Sequence, residues 1–266
     1  MTVITPAAYL LLSVLLRGAA LPDGWFFLLT RYAPYALTLA ALLAYTRYAE
    51  PEILRGFGCA VRGGLAGNTA RMLLAGLLAG LLMNLFCVGA AVLHGELLIV
   101  YSGFDAPYLL AALALTLVQA GTEELVFRGY AFAALRERYG TRWAAAVSAV
   151  LFAAMHAFNP GVTAAGTLLL LLWGLAMCAA SCEYRSLWLV CGMHTAWNYT
   201  QSFLFGLPNS GVAAPSSLFR MTAAADGPFY STGFGLEGGA AAIAVFAALL
   251  GFCLLRGAGR RKSGGN

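Results

Sequence analysis

Tyr108-Leu109-Leu110-Ala111-Ala112-Leu113-Ala114-Leu115-Thr116-Leu117-Val118-Gln119-Ala120-Gly121-Thr122-Glu123-Glu124-Leu125-Val126-Phe127-Arg128 decides the fold. An apolar run from Tyr108 to Ala120 leads directly into two adjacent carboxylates and an arginine. An ionisable side chain within a membrane span is expensive and marks a functional site by default. Three of them on one span require partners elsewhere in the chain.

Composition supports a membrane setting. Of the 266 residues, 61% are hydrophobic and 10% charged, against about 45–50% and about 25% in soluble domains. The fold class expected is therefore all-α: a polytopic helical bundle with an intramembrane polar cavity. The net charge of +5 comes from arginine near the membrane surface and gives no reason to expect nucleic-acid binding. The six cysteines match neither a zinc ribbon nor a secreted disulfide framework. Cys178 and Cys182, four residues apart, read as small buried hydrophobes. No basic residue precedes the first apolar run, so a cleaved signal peptide is not expected.

A bilayer crossing needs about 20 mainly apolar residues. Eight spans are expected, at Val3–Ala20, Trp25–Tyr45, Met72–Val92, Pro107–Phe127, Trp143–Phe158, Val162–Ser181, Ser186–Phe205 and Gly239–Leu255. The first is short and interrupted by Arg17. No internal repeat is visible, so residues 1–266 read as one integral domain with a catalytic core at about 107–238. Twelve of the sixteen basic residues fall on one side of these spans: Arg47, Arg55, Arg62, Arg71, Arg136, Arg138, Arg142, Arg185, Arg256, Arg260, Arg261 and Lys262. The positive-inside rule then makes both termini cytoplasmic and the Gly206–Gly238 loop extracytoplasmic.

Glu124 and Arg128 stand at i,i+4, a spacing that brings side chains together on one helix face, and a buried pair avoids two uncompensated charges. Glu123, rotated by about 100°, faces elsewhere. His156 lies late in the fifth span, and His194 and Asn198 share a face of the seventh. Counted from the basic ends at about 1.5 Å per residue, Glu123, His156, His194 and Asn198 all fall roughly 14–22 Å from the cytoplasmic side. Three helices thus bring four polar groups to one layer, which demands a water-accessible cavity. His94 and Glu96 read as interfacial, and Asp23, Asp105, Asp226 and Glu237 as loop residues.

A carboxylate and a histidine facing one cavity can hold and deprotonate water. A second histidine and an Asn amide can donate to a developing oxyanion. The set suits hydrolysis of an amide by activated water. Ser148 and Cys191 are the nearest candidates for a nucleophile, and neither is well spaced from a histidine. Two His and one Glu (Glu123, His156, His194) also make a possible zinc set with an open position, although HExxH is absent.

Glu-Glu-x-x-x-Arg (Glu123, Glu124, Arg128), Phe-x-x-x-His (Phe152, His156) and His-x-x-x-Asn (His194, Asn198), in this order, resemble the CPBP family of CAAX prenyl endopeptidases and bacteriocin-processing (Abi) intramembrane proteases. The similarity covers roughly Leu109 to Gly238, and Gly233-Phe234-Gly235-Leu236-Glu237 is similar to the bacterial branch. The resemblance implies an intramembrane endopeptidase in which Glu123 activates water with His156. His194 and Asn198 would then form the oxyanion site, with Glu124 and Arg128 holding the motif helix. The family is often labelled metalloprotease, but its residues also fit a metal-free, glutamate-based mechanism, and the metal-free version without a cofactor is the one expected because Asn198 is a poor zinc ligand and a good oxyanion donor; the alternative is a divalent metal such as zinc. Peptides or membrane-tethered proteins, prenylated or bacteriocin-like, are the substrates implied, entering from the cytoplasm or laterally from lipid. The location implied is the inner membrane of a prokaryote. A membrane-binding or bacteriocin-immunity protein is the competing reading, and a proton-coupled transporter ranks last for want of a repeat.

Overall fold

The computed structural model describes residues 4–49, 67–223 and 225–263. It is the all-α bundle expected of a polytopic membrane protein. Arg55, Cys59 and Arg62 lie outside the described residues. Helices α1 (Ile4–Leu16), α2 (Asp23–Arg31) and α3 (Ala33–Tyr48) come first, followed by α4 (Gly67–Leu93). After strand β1 (Leu97–Tyr101), α5 (Ala106–Glu124) continues through a π-helical turn (Leu125–Ala131) into α6 (Phe132–Met155). Next come α7 (Ala164–Tyr184) and α8 (Leu187–Tyr199), the latter ending in a second π-helical turn (Thr200–Leu204). Strand β2 (Phe219–Ala223) and a 3-10 turn (Leu236–Gly238) precede α9 (Ala240–Ser263).

Helix starts follow side-chain chemistry. Asp105, Thr163 and Ser186 accept bonds from the backbone N–H groups of Tyr108, Gly166 and Leu189 at 3.0, 3.0 and 3.3 Å, satisfying donors that a helix leaves free. At the end of α7, Arg185 takes a left-handed conformation (φ 50°) and turns the chain into α8.

Five segments among the described residues are long and apolar enough to cross a membrane: Asp23–Tyr48, Thr69–Leu93, Ala106–Met155, Ala164–Tyr184 and Ala240–Gly259. The third spans 50 residues and contains two expected crossings, broken where Gly140 adopts φ 78°. Length and apolarity among the described residues therefore give five such segments and not the eight expected. Helix α1 has 13 residues, about 20 Å of rise against a hydrocarbon core of about 30 Å. Helix α8 carries His194 and Asn198, and every residue from Leu189 to Asn198 is buried. Enclosed by other helices, it carries polar groups without showing them to lipid.

Close helix contacts rest on small residues, which let backbones approach within a membrane. A Cβ on Gly76 of α4 would overlap the Leu189 carbonyl oxygen, and one on Gly80 that of Met193. Asn84 of α4 donates to the Trp197 carbonyl at 3.3 Å and to Gln201 Oε1 at 3.4 Å. Between α7 and α6, a Cβ on Gly174 would come within 2.6 Å of Ala149. Trp173, Trp197 and Phe246 pack with ring centroids 4.5–5.7 Å apart and form the floor beneath His194.

One feature departs from a purely helical fold. Strands β1 and β2 pair antiparallel, from Leu97 opposite Ala223 to Tyr101 opposite Phe219. Their branched and aromatic residues favour a pleated backbone.

Candidate active site

The chain geometry changes at Glu123–Glu124. Helix α5 ends there and the next seven residues form a π-helical turn; such widened turns recur at functional sites. Arg128 leaves this turn to meet Glu124, Nη1 to Oε1 at 3.2 Å, with both side chains fully buried. The guanidinium carbon lies 4.4 Å from the centre of the Phe152 ring. The pair expected from the i,i+4 spacing is present.

Glu124 has a second partner. Its Oε1 stands 2.7 Å from His194 Nδ1. An ionised carboxylate only accepts, so Nδ1 carries the proton and donates it. The ring's other nitrogen, Nε2, lies 3.8 Å from Glu123 Oε2. Glu123 Oε1 accepts from Gln119 Nε2 at 2.7 Å, and Glu123 Oε2 has no hydrogen-bond partner among the described residues. Glu123 is 4% exposed and His194 equally so. Such a buried, unpartnered oxygen is costly unless water or substrate completes it.

His156 sits just past the end of α6. Its Nδ1 bonds the Phe152 carbonyl at 2.9 Å, so that nitrogen is the donor and Nε2 is left for the cavity. The geometry brings His194, rather than His156, nearest to Glu123. Asn198 Nδ2 donates to Gln119 Oε1 at 3.0 Å, and its Oδ1 accepts from Asn209 Nδ2 at 3.1 Å.

Glu123, His156, His194 and Asn198 line a single cavity of about 130 Å³, where one water needs roughly 10–15 Å³. Arg31, Tyr32, Tyr35, Asn159, Ser210 and Val212 also wall it. No three His, Cys, Asp or Glu side chains among the described residues are grouped so as to hold a metal ion. For the Glu123, His156 and His194 set, both Nδ1 atoms are already committed, to Glu124 and to the Phe152 carbonyl.

Three polar positions that line the cavity are not legible in the sequence. Gln119 was hidden in the apolar run, and Asn209 in a polar loop. Glu237, read as a loop residue, is 4% exposed and lines the cavity. Burial pushes its carboxyl up to about 7, against the opposing pull of bonds from the Ser210 N–H, Trp197 and Gln201. Only the rarity of acidic residues in this chain could have marked it. Of the residues assigned to the interface, Glu96 is also buried, pairing with His94 at 2.8 Å and accepting from the Phe229 N–H.

Residues 105–200 match the family model described as type II CAAX prenyl endopeptidase Rce1-like. This bears out the resemblance to the CPBP proteases. The matched segment starts at the cap of α5 and contains all three motifs, from Glu123 to Asn198. No curated protein and no solved structure matches the chain. The family match and the apolar helices support a protease that works within a membrane.

Proposed function

We propose that this protein is an intramembrane endopeptidase that hydrolyses peptide bonds with a water activated by Glu123. The observation that carries the reading is the 3.8 Å gap between Glu123 Oε2 and His194 Nε2, which opens on the cavity that His156 and Asn198 also line. The oxyanion role asks His194 to carry a proton on Nε2 as well as on Nδ1, and the carboxylates of Glu123 and Glu124 that flank the ring are the counter-charges for it.

Glu123 takes a proton from the water, which is held against His156 Nε2, as oxygen bonds to the carbonyl carbon. The negative charge that develops on the carbonyl oxygen meets His194 Nε2–H and the free N–H of Asn198. Glu123 then returns its proton to the leaving amine as the C–N bond breaks, and proton and charge balance at each step. General acid–base transfer contributes about 10²–10⁴-fold, and one oxyanion donor about 10²–10³-fold. Membrane-tethered peptides, prenylated or bacteriocin-like, are the proposed substrates.

The test is cleavage of a membrane-tethered peptide by purified protein in liposomes, with and without a chelator. Wild-type protein should cleave in both conditions, and Glu123→Gln should lose about 10²-fold or more. Full activity in folded Glu123→Gln rejects Glu123 as the base, and loss of activity on chelation, restored by zinc, rejects the metal-free mechanism.

A further inference from the structure

Glu237 lies outside the matched segment, yet it anchors one end of a continuous chain of side-chain hydrogen bonds that runs to Glu123. Asn209 Nδ2 donates to Glu237 Oε1 at 3.0 Å and to Asn198 Oδ1 at 3.1 Å. Asn198 Nδ2 donates to Gln119 Oε1 at 3.0 Å, and Gln119 Nε2 to Glu123 Oε1 at 2.7 Å. Three amides thus stand between two carboxylates: Asn209 donates in both directions, and Asn198 and Gln119 each donate towards Glu123.

The orientation is set from both ends: Glu123 holds the NH₂ of Gln119 towards itself, and Glu237 holds that of Asn209. An ionised carboxylate is acceptor-only, so Asn209 must turn its NH₂ towards it. With both N–H groups of Asn209 spent, Asn198 must offer Oδ1 to Asn209, and its NH₂ points towards Gln119 and the cavity. Glu237 is itself held by three further donors: Trp197 Nε1 at 3.3 Å, Gln201 Nε2 at 3.3 Å and the Ser210 N–H at 2.6 Å.

We propose that Glu237 is a positioning residue for the reaction: it fixes the polarity of the Asn209–Asn198–Gln119 amide chain, so that Asn198 presents an N–H, and not its carbonyl, to the reacting oxygen. The consequence for rate rests on the proposed peptidase function, and the amide polarity does not. The Glu237→Gln substitution places an NH₂ among four donors. The least costly escape turns Asn209 over, which sets its Oδ1 against Asn198 Oδ1; Asn198 then loses that bond and shifts, because turning over would put its carbonyl against Gln119 Oε1, and its N–H is drawn off the oxyanion.

The experiment has two arms. In liposomes at pH 8, Glu237→Gln should lower kcat about tenfold or more with KM within about twofold, in keeping with one oxyanion donor lost, and Glu237→Asp should recover part of it. Unchanged kcat in Glu237→Gln, beside an inactive Glu123→Gln, overturns the inference and leaves the peptidase reading standing. The second arm needs no substrate: a thermal double-mutant cycle on Glu237→Gln and Asn198→Ala. Asn209 is the side chain that bonds both of these residues, so Tm shifts that depart from additivity support the chain. Additive shifts overturn it. If wild-type protein cleaves nothing, the peptidase reading fails and the Tm cycle alone decides. The titration supplies a further sign. Folding raises Glu237 from an ordinary 4.5 to about 7, so the native state binds the extra proton between those values. Stability should fall as pH rises from about 4.5 to about 7, and Glu237→Gln should flatten that slope; the group acting on it through space is His194.

Discussion

At the scale of single residues, the site depends on Glu124 having two partners. Arg128 neutralises it and His194 donates to it. Arg128→Met leaves a fully buried carboxylate short of its strongest counter-charge, a change that costs about 3–5 kcal/mol in comparable pairs. The expected result is a large drop in Tm. The double variant Glu124→Gln, Arg128→Met should recover much of that stability, because no buried charge remains unbalanced between the two. It should not recover kcat, because a neutral amide in place of the Glu124 carboxylate no longer supports a protonated His194. An Arg128→Met protein with wild-type Tm contradicts this account. The i,i+4 spacing made the Glu124–Arg128 pair legible in the sequence. His194 as the partner of Glu124 was not, because it lies seventy residues away on another helix and no local spacing encodes it. For the same reason the sequence does not show that His194 lies nearer to Glu123 than His156 does.

At the scale of elements, the position of His194 is set by α4, which contributes no side chain to the cavity lining. The glycines of α4 let the α8 backbone come within contact distance one residue before His194, and Asn84 holds the end of α8 through the Trp197 carbonyl and Gln201. Gly80→Val forces the helices apart, because its Cβ would overlap the Met193 carbonyl oxygen and backbone has no rotamer to yield. Both Tm and kcat should fall, with kcat down about tenfold or more for a displacement near 1 Å. Gly89→Ala on the same helix has nothing within 4 Å and should leave both unchanged, possessing better helix propensity besides. Equal effects of the two variants would show that close approach is not what α4 supplies. Apolar runs and caps made α4 to α8 readable from the sequence. The π-helical turns were not, since Leu125–Ala131 and Thr200–Leu204 have the composition of ordinary helix.

At the scale of the whole molecule, two features point to opposite ends. Arg136, Arg138 and Arg142 flank the Gly140 break, Arg185 caps α7 and Arg256 lies in the last third of α9, and none of them lines the cavity. The cavity is walled instead by Asn159, Ser210 and Val212 from the loops at the other end, and by exposed Arg31. The loop that follows α8 turns back to the catalytic layer, with Leu207 fully buried and Asn209 bonded to Asn198. The sequence showed this loop only as a stretch rich in Gly, Pro and Ser, because its use depends on pairings across the fold. If the arginine-rich end is cytoplasmic, substrate reaches Glu123 from the extracytoplasmic face or from the lipid, and not from the cytoplasm. Cysteines at exposed Ala213 and exposed Arg138 separate these cases. In intact cells, a membrane-impermeant thiol reagent should label Ala213→Cys above the wild-type background, and Arg138→Cys only after permeabilisation. The reverse pattern places the cavity mouth in the cytoplasm, and it would mean that the asymmetry of the arginines does not set the orientation of this bundle.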